Sequence, residues 1–154
     1  MELRSARTED TAIVRNIAVY TINTIYPRYY PSGVVTFFTE HHSVKNITDD
    51  ITSGCVYILY DAGIPVGTVT IKENEILRLF VLPEHQSRGF GKYMLDIAES
   101  MVFAEFDSVI VDSSLPAKTV YLRRGYKEFE YIQLVTPDGD VLCYDRMEKS
   151  RQMP

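Results

Sequence analysis

A chain of 154 residues with 45% hydrophobic content is long enough for one domain around one sizeable core. Its 16 Lys and Arg against 21 Asp and Glu give a formal charge of -5, which argues against a nucleic-acid or general polyanion binder, since such proteins carry a basic face. The same acidic balance leans toward a cationic partner such as an amine. Cys55 and Cys143 lie in apolar, strand-like runs without Cys-x-x-Cys or zinc spacing, so two reduced core thiols are expected. The first residues lack the apolar segment of a signal peptide, and no run approaches the roughly 18 apolar residues of a membrane span. A cytoplasmic protein with no membrane partner is expected.

Along the chain, Glu2 to Ala6 reads as a first strand. A helix should begin at Thr8, with Glu9 and Asp10 offsetting its dipole in the first turn. Ala12, Ile13, Ile17, Tyr20 and Thr24 recur at helical spacing, and Pro27 should end the run. The next stretch, residues 25–33, holds three tyrosines and two prolines; its rings either line a substrate mouth or pack down onto the core. Helical pattern resumes from Val34 to about His42 and, with Ser43 as cap, on to Ile51.

From Gly54 the texture turns to β-branched, alternating residues. Val56 to Tyr60, Val66 to Lys72 and Ile76 to Leu82 read as three strands joined by hairpin turns at Asp61-Ala62-Gly63 and Glu73-Asn74-Glu75. A helix from about Gly89 to Ala104 follows, then a strand from Ser108 to Asp112, a short helix from Pro116 to Arg124, and a hairpin of Tyr126 to Val135 with Val141 to Met147. This order specifies an α+β domain around a mixed sheet, spanning residues 1–148, with residues 149–154 as a frayed tail.

The stretch Gln86-Ser87-Arg88-Gly89-Phe90-Gly91-Lys92 sits between a strand and a helix. The first N–H groups of a helix have no intrahelical partners and point toward anions. Glycines there let backbone approach a phosphate, and Arg88 and Lys92 add charge. The residue after Lys92 is Tyr93 and no glycine stands at the upstream P-loop position, while the third glycine of a dinucleotide fingerprint would fall at Met94. Neither of those phosphate motifs is present.

The block Ile76 to Leu95, with Gln86 to Gly91 fitting Gln/Arg-x-x-Gly-x-Gly/Ala, resembles the acyl-CoA motif of the GNAT superfamily of N-acetyltransferases. Ser114 to Tyr126 resembles that family's second signature, and the element order is similar over nearly the whole chain. The resemblance implies a mostly antiparallel sheet of about seven strands flanked by helices, with a splayed cofactor cleft. It also implies acetyl-CoA as acetyl donor and an amine as acceptor, by direct transfer and without a metal. Its pyrophosphate would lie on the N–H groups from Ser87 to Lys92, and its pantetheine arm beside Leu79, Phe80 and Val81. Gln86, Phe90, Ser114 and Ala117 complete the implied cofactor set. The Leu79 N–H would polarise the thioester carbonyl, and Tyr121 matches the family tyrosine that gives a proton to the departing thiolate. A cofactor-binding sensor that lost transfer is the alternative.

Glu75 is a candidate base, matching the place of a catalytic glutamate in some lysine-acetylating members, or else part of an exposed hairpin turn. Asp112 and His85 are further candidates. The acceptor region is expected to involve Tyr26, Tyr29, Tyr30, Phe37, Phe38 and Asp112. His41-His42 are adjacent on a helix and cannot easily share one metal ion; one of them joins this aromatic group, or they cap a helix end as imidazolium. The final hairpin offers an edge on which two copies could pair. The identity of the acceptor is not written in these motifs.

Overall fold

The computed structural model describes residues 1–153; Pro154, last of the expected tail, lies outside them. Strands β1 (Glu2–Ser5), β2 (Val56–Asp61), β3 (Ile64–Lys72), β4 (Glu75–Val81), β5 (Ser108–Ser113), β6 (Lys127–Val135) and β7 (Val141–Ser150) form one sheet in the order β1-β2-β3-β4-β5-β7-β6. Every neighbouring pair is antiparallel except β4 and β5. The helices are α1 (Thr11–Ile25), α2 (Ser32–His41), α3 (Val44–Thr52), α4 (Phe90–Glu105) and α5 (Lys118–Arg123). None of the described helices is long and apolar enough to cross a membrane.

Side chains alternate across a strand, and the two faces feed two cores. Ile58 packs with Val14, Ile17, Ala18 and Ile22 of α1 and with Ile47 and Ile51 of α3. Its neighbour Leu59 packs on the opposite side with Met94, Leu95, Ala98 and Val102 of α4. Phe80 and Val81 divide between the two cores in the same way.

Several boundaries differ from the sequence reading, among them α2 at Ser32 and β3 at Ile64. Helix α1 begins at Thr11, because Thr8–Asp10 form a 3-10 turn in which the Asp10 carboxylate accepts from the Arg7 N–H at 2.8 Å. The short helix after β5 begins at Lys118, preceded by a 3-10 turn over Leu115–Ala117. The last strand extends into the first two residues of the expected tail. β7 continues to Ser150 because β5 pairs with it along its whole length, Ser108 opposite Ser150. The Arg151 guanidinium then donates to the carbonyls of Phe103 and Phe106 at the end of α4, the second at 2.9 Å.

Candidate active site

β4 and β5 pair only at Glu75 with Ile110 and Ile76 with Val111. Beyond that point β4 continues beside β3 and β5 beside β7, so the sheet opens into a cleft. A cavity of about 620 Å³ occupies it, lined by Ile76 to Phe80 on one side and Asp112, Ser114, Ala117 and Tyr121 on the other. α2 and α3 wall its far end with Phe37, Phe38, His41, His42 and Asp50.

At the opposite end of β4, Gly89 caps α4 with φ 87°, a left-handed conformation that suits glycine. Ser87 takes φ 59°, also left-handed. Among the described residues none of the N–H groups from Ser87 to Lys92 donates to a backbone carbonyl or a side chain. A methyl added at Gly91 would meet only Val81 Cγ2, at an ordinary 3.8 Å. The fold itself does not demand glycine there, and the space is left for something outside the chain. Gln86 braces the loop, its Nε2 donating to the Val81 carbonyl at 3.0 Å. Arg88 lies over the Phe90 ring and 3.1 Å from His85, while Lys92 reaches Asp96 on its own helix at 2.7 Å. The loop thus fits a pyrophosphate on backbone donors, with Arg88 and Lys92 as exposed cations at its rim.

β4 carries a bulge. Thr68 faces Phe80 and Thr70 faces Leu77, so Arg78 and Leu79 together oppose Val69 alone. Such a bulge takes backbone groups out of the ladder and re-aims a side chain. Arg78 sits at φ 47°, a conformation that costs a non-glycine residue about 1–3 kcal/mol. Its guanidinium is 6% exposed and pairs with Asp50 at 2.9 Å. Its Nε donates to His42 Nδ1 at 3.0 Å and its Nη1 to Thr70 Oγ1 at 2.9 Å. Lys72 shares the same Asp50 carboxylate. Burial raises the Asp50 carboxyl, but the hydrogen bonds from Lys72 and Arg78 outweigh it and leave the net shift downward. Burial first, and then Arg78, push the His42 imidazole down to about 3, so the ring is neutral at ordinary pH.

The expected site residues divide. Tyr26, Phe37, Phe38, Leu79, Phe80, Asp112, Ser114, Ala117 and Tyr121 all line the cavity. Tyr121 is 7% exposed, its ring edge-on to Tyr126 at 5.3 Å, and burial raises its pKa so that it stays protonated. Tyr29 and Tyr30 are not in the lining. Tyr29 is exposed. Tyr30 is buried, and its hydroxyl accepts from the Leu115 N–H at 2.7 Å, which fixes the turn leading to Ala117 and Tyr121. Glu75 does not reach the cavity either. Its carboxylate accepts from Arg146 Nη2 at 2.8 Å, and the same guanidinium holds Asp112 through Nε at 2.8 Å. His42 does cap α2, but as a buried neutral ring rather than an imidazolium.

The sequence reading passed over Arg78, Asp50 and Lys72. The available signal was a charged residue inside the otherwise apolar run Ile76-Leu77-Arg78-Leu79-Phe80-Val81.

The model of the acetyltransferase (GNAT) domain matches residues 25–135, more than half of the chain. The chain belongs to the GNAT acetyltransferase family. The GCN5-related N-acetyltransferase of Rhodopseudomonas palustris has a similar structure, at a TM-score of 0.89 and 24% identity over 97% of this chain and 95% of that one. The PaiA N-acetyltransferase of Thermoplasma acidophilum, solved in complex with coenzyme A, is similar at 0.75 and 19% identity over 97% and 98%. The ribosomal-protein-S18-alanine N-acetyltransferase of Escherichia coli is similar at 0.71 and 16% identity over 99% and 95%. No curated protein sequence matches the chain significantly. As a GNAT acetyltransferase the protein is an enzyme, and its open seven-stranded sheet is that of the family.

Proposed function

We propose that the protein moves an acetyl group from acetyl-CoA to a primary amine by direct transfer. The observation that carries this reading is the cleft where β4 leaves β5, lined by the buried Tyr121, together with the unpartnered N–H groups at the start of α4, the helix that follows β4. Acetyl-CoA would supply an acyl group activated as a thioester. The N–H groups from Ser87 to Lys92 hold its pyrophosphate at the positive end of α4. Gly91 leaves the room that this requires.

The bulge at Arg78 and Leu79 frees the Leu79 N–H to donate to the carbonyl oxygen, where charge grows as the amine attacks. Reaction forms one N–C bond and breaks one C–S bond, whose electron pair goes to sulfur. The proton lost by the amine balances the one gained by sulfur. Tyr121, protonated because it is buried, donates a hydrogen bond to the sulfur as its charge develops. Orientation supplies much of the acceleration, since well-placed groups reach effective molarities of about 10⁵–10⁸ M.

Thermal unfolding of ligand-stripped protein with acetyl-CoA, CoA, ATP and NADH tests the first half. Acetyl-CoA and CoA alone should raise the midpoint, by about 2.7 kcal/mol of stability at a hundredfold excess over Kd. Thiol release then tests transfer. Tyr121→Phe should lower kcat about a hundredfold and leave the Kd of acetyl-CoA within about twofold. Binding of acetyl-CoA without thiol release from any amine would favour a sensor instead.

A further inference from the structure

One wall of the cavity gathers two cations on a single carboxylate. Arg78 and Lys72 share the single Asp50 carboxylate, and the His42 between them is neutral. Two other carboxylates in the lining are already matched, Asp49 by Lys45 at 2.7 Å and Asp112 by Arg146 at 2.8 Å. On this wall two cations thus face one carboxylate, while Arg146 serves both Asp112 and Glu75. The Arg78 side chain is 6% exposed and lines the cavity.

The guanidinium is only partly satisfied. A guanidinium carries five N–H donors in a fixed fork. Nε and Nη1 have His42, Thr70 and Asp50 as partners, whereas Nη2 donates to no protein group among the described residues. Nη2 is not sealed from solvent, and the strained backbone at Arg78 carries a cost of its own. The chain bears that strain at the residue adjoining Leu79, where the thioester carbonyl is expected. Around it stand Phe37, Phe38 and Phe80, an apolar wall with no charge of its own.

We propose that Arg78 Nη2 is the receptor for a carboxylate carried by the acceptor, so that the acceptor is a small amino acid-like compound whose apolar or aromatic body lies against Phe37, Phe38 and Phe80. Arginine suits this task because its fork matches a carboxylate. Asp50, Thr70 and His42 hold the guanidinium still, which makes it a preformed site. A polyamine, which the overall acidity of the chain would favour, would meet the Arg78 guanidinium on this wall.

The inference rests on the proposed acetyl transfer, and its test separates the two. L-Phenylalanine, L-tyrosine, L-leucine and L-methionine are compared with their C-terminal amides and with phenethylamine in a thiol-release assay. Binding of N-acetyl-L-phenylalanine and its amide to the CoA-saturated protein is measured by calorimetry. Carboxylate members should exceed their amides by about tenfold or more in kcat/KM, and the acetylated acid should bind correspondingly tighter. Arg78→Lys, which keeps a cation beside Asp50, should bring the ratio to within about threefold through KM, with the Kd of acetyl-CoA unchanged. The wild-type ratio decides the matter even if that variant fails to fold. Equal or better turnover of amides or phenethylamine, or no turnover of any carboxylate member by protein that binds acetyl-CoA, overturns the inference and leaves the transferase reading standing. Failure to bind acetyl-CoA overturns both.

Discussion

Arg124 and Arg78 are both sequestered guanidiniums beside a carboxylate, but their surroundings are completed differently. Arg124 donates through Nε to Glu99 at 3.0 Å and through Nη2 to Asp96 at 2.9 Å, so two carboxylates share one fork. Glu99 also takes Lys149 at 2.7 Å and the Tyr126 hydroxyl at 3.0 Å, tying α4 to the turn before β6 and to β7. Arg78 has one carboxylate, which it shares with Lys72, and an amino group left over. A closed network fixes a fold, whereas an open one in a cavity waits for a ligand. The number of carboxylates on the fork and its place in the cavity lining, rather than the presence of an ion pair, distinguish the two.

The strongest way to break that contrast is Glu99→Ala. It leaves Arg124 and Lys149 facing each other without their shared anion, and removing one partner of a buried pair costs about 3 kcal/mol or more. Urea unfolding should show that loss, while the folded fraction keeps its Kd for acetyl-CoA. A small stability change with a large loss of binding would show that the closed network belongs to the active site after all.

Acid sharpens the contrast with a smaller effect. His42 has a folded pKa of about 3, against 6.5 when unperturbed, from burial foremost and from Arg78 and His41 beside it. Asp50 pulls the other way. Burial and Arg78 lower His41 as well. Below about pH 6.5 the unfolded chain therefore binds protons that the folded chain refuses. Stability from these histidines is complete above that pH and declines as pH falls toward 3. The net-lowered carboxyls of Asp50 and Glu99, for which hydrogen bonds outweigh burial, begin to lose their contribution only near their unperturbed values of 3.8 and 4.5. Unfolding free energies should thus fall between about pH 6.5 and 5, and His42→Asn should flatten that slope. A slope unchanged in the variant would assign the window to other groups.

The sequence carried more of the cofactor end than of the acceptor end, for a physical reason. Phosphate is held by backbone donors at a helix start, and Gly89, Gly91 and Gln86 announce such a start locally. Tyr121, singled out by its place before Gly125 and Tyr126, lies in the cavity lining. The acceptor end is assembled from residues far apart in the chain, Asp50 and His42 from helices and Lys72 and Arg78 from strands, brought together only by the bulge and by the packing of α2 and α3 on the sheet. The tyrosine segment misled because its composition allows both of the outcomes found in it. Tyr26 faces the cavity, while Tyr30, four residues on, is an internal brace.

Glu75 supplies the smallest expected effect and the most direct test of where the amine proton goes. It lies at the closed end of the cleft, where β4 still pairs with β5. Four residues separate it from Leu79, about 13 Å along a strand, too far for direct proton transfer to a carboxylate that needs hydrogen-bond reach of about 3 Å. Its partner is Arg146, in a pair whose side chains are 35% and 26% exposed. Such a pair contributes at most about 1 kcal/mol. Glu75→Gln should therefore change stability by less than that and kcat by less than about threefold. A hundredfold fall in kcat at unchanged KM would instead make Glu75 the base acting through a chain of water, with Arg146 as the residue that aims its carboxylate.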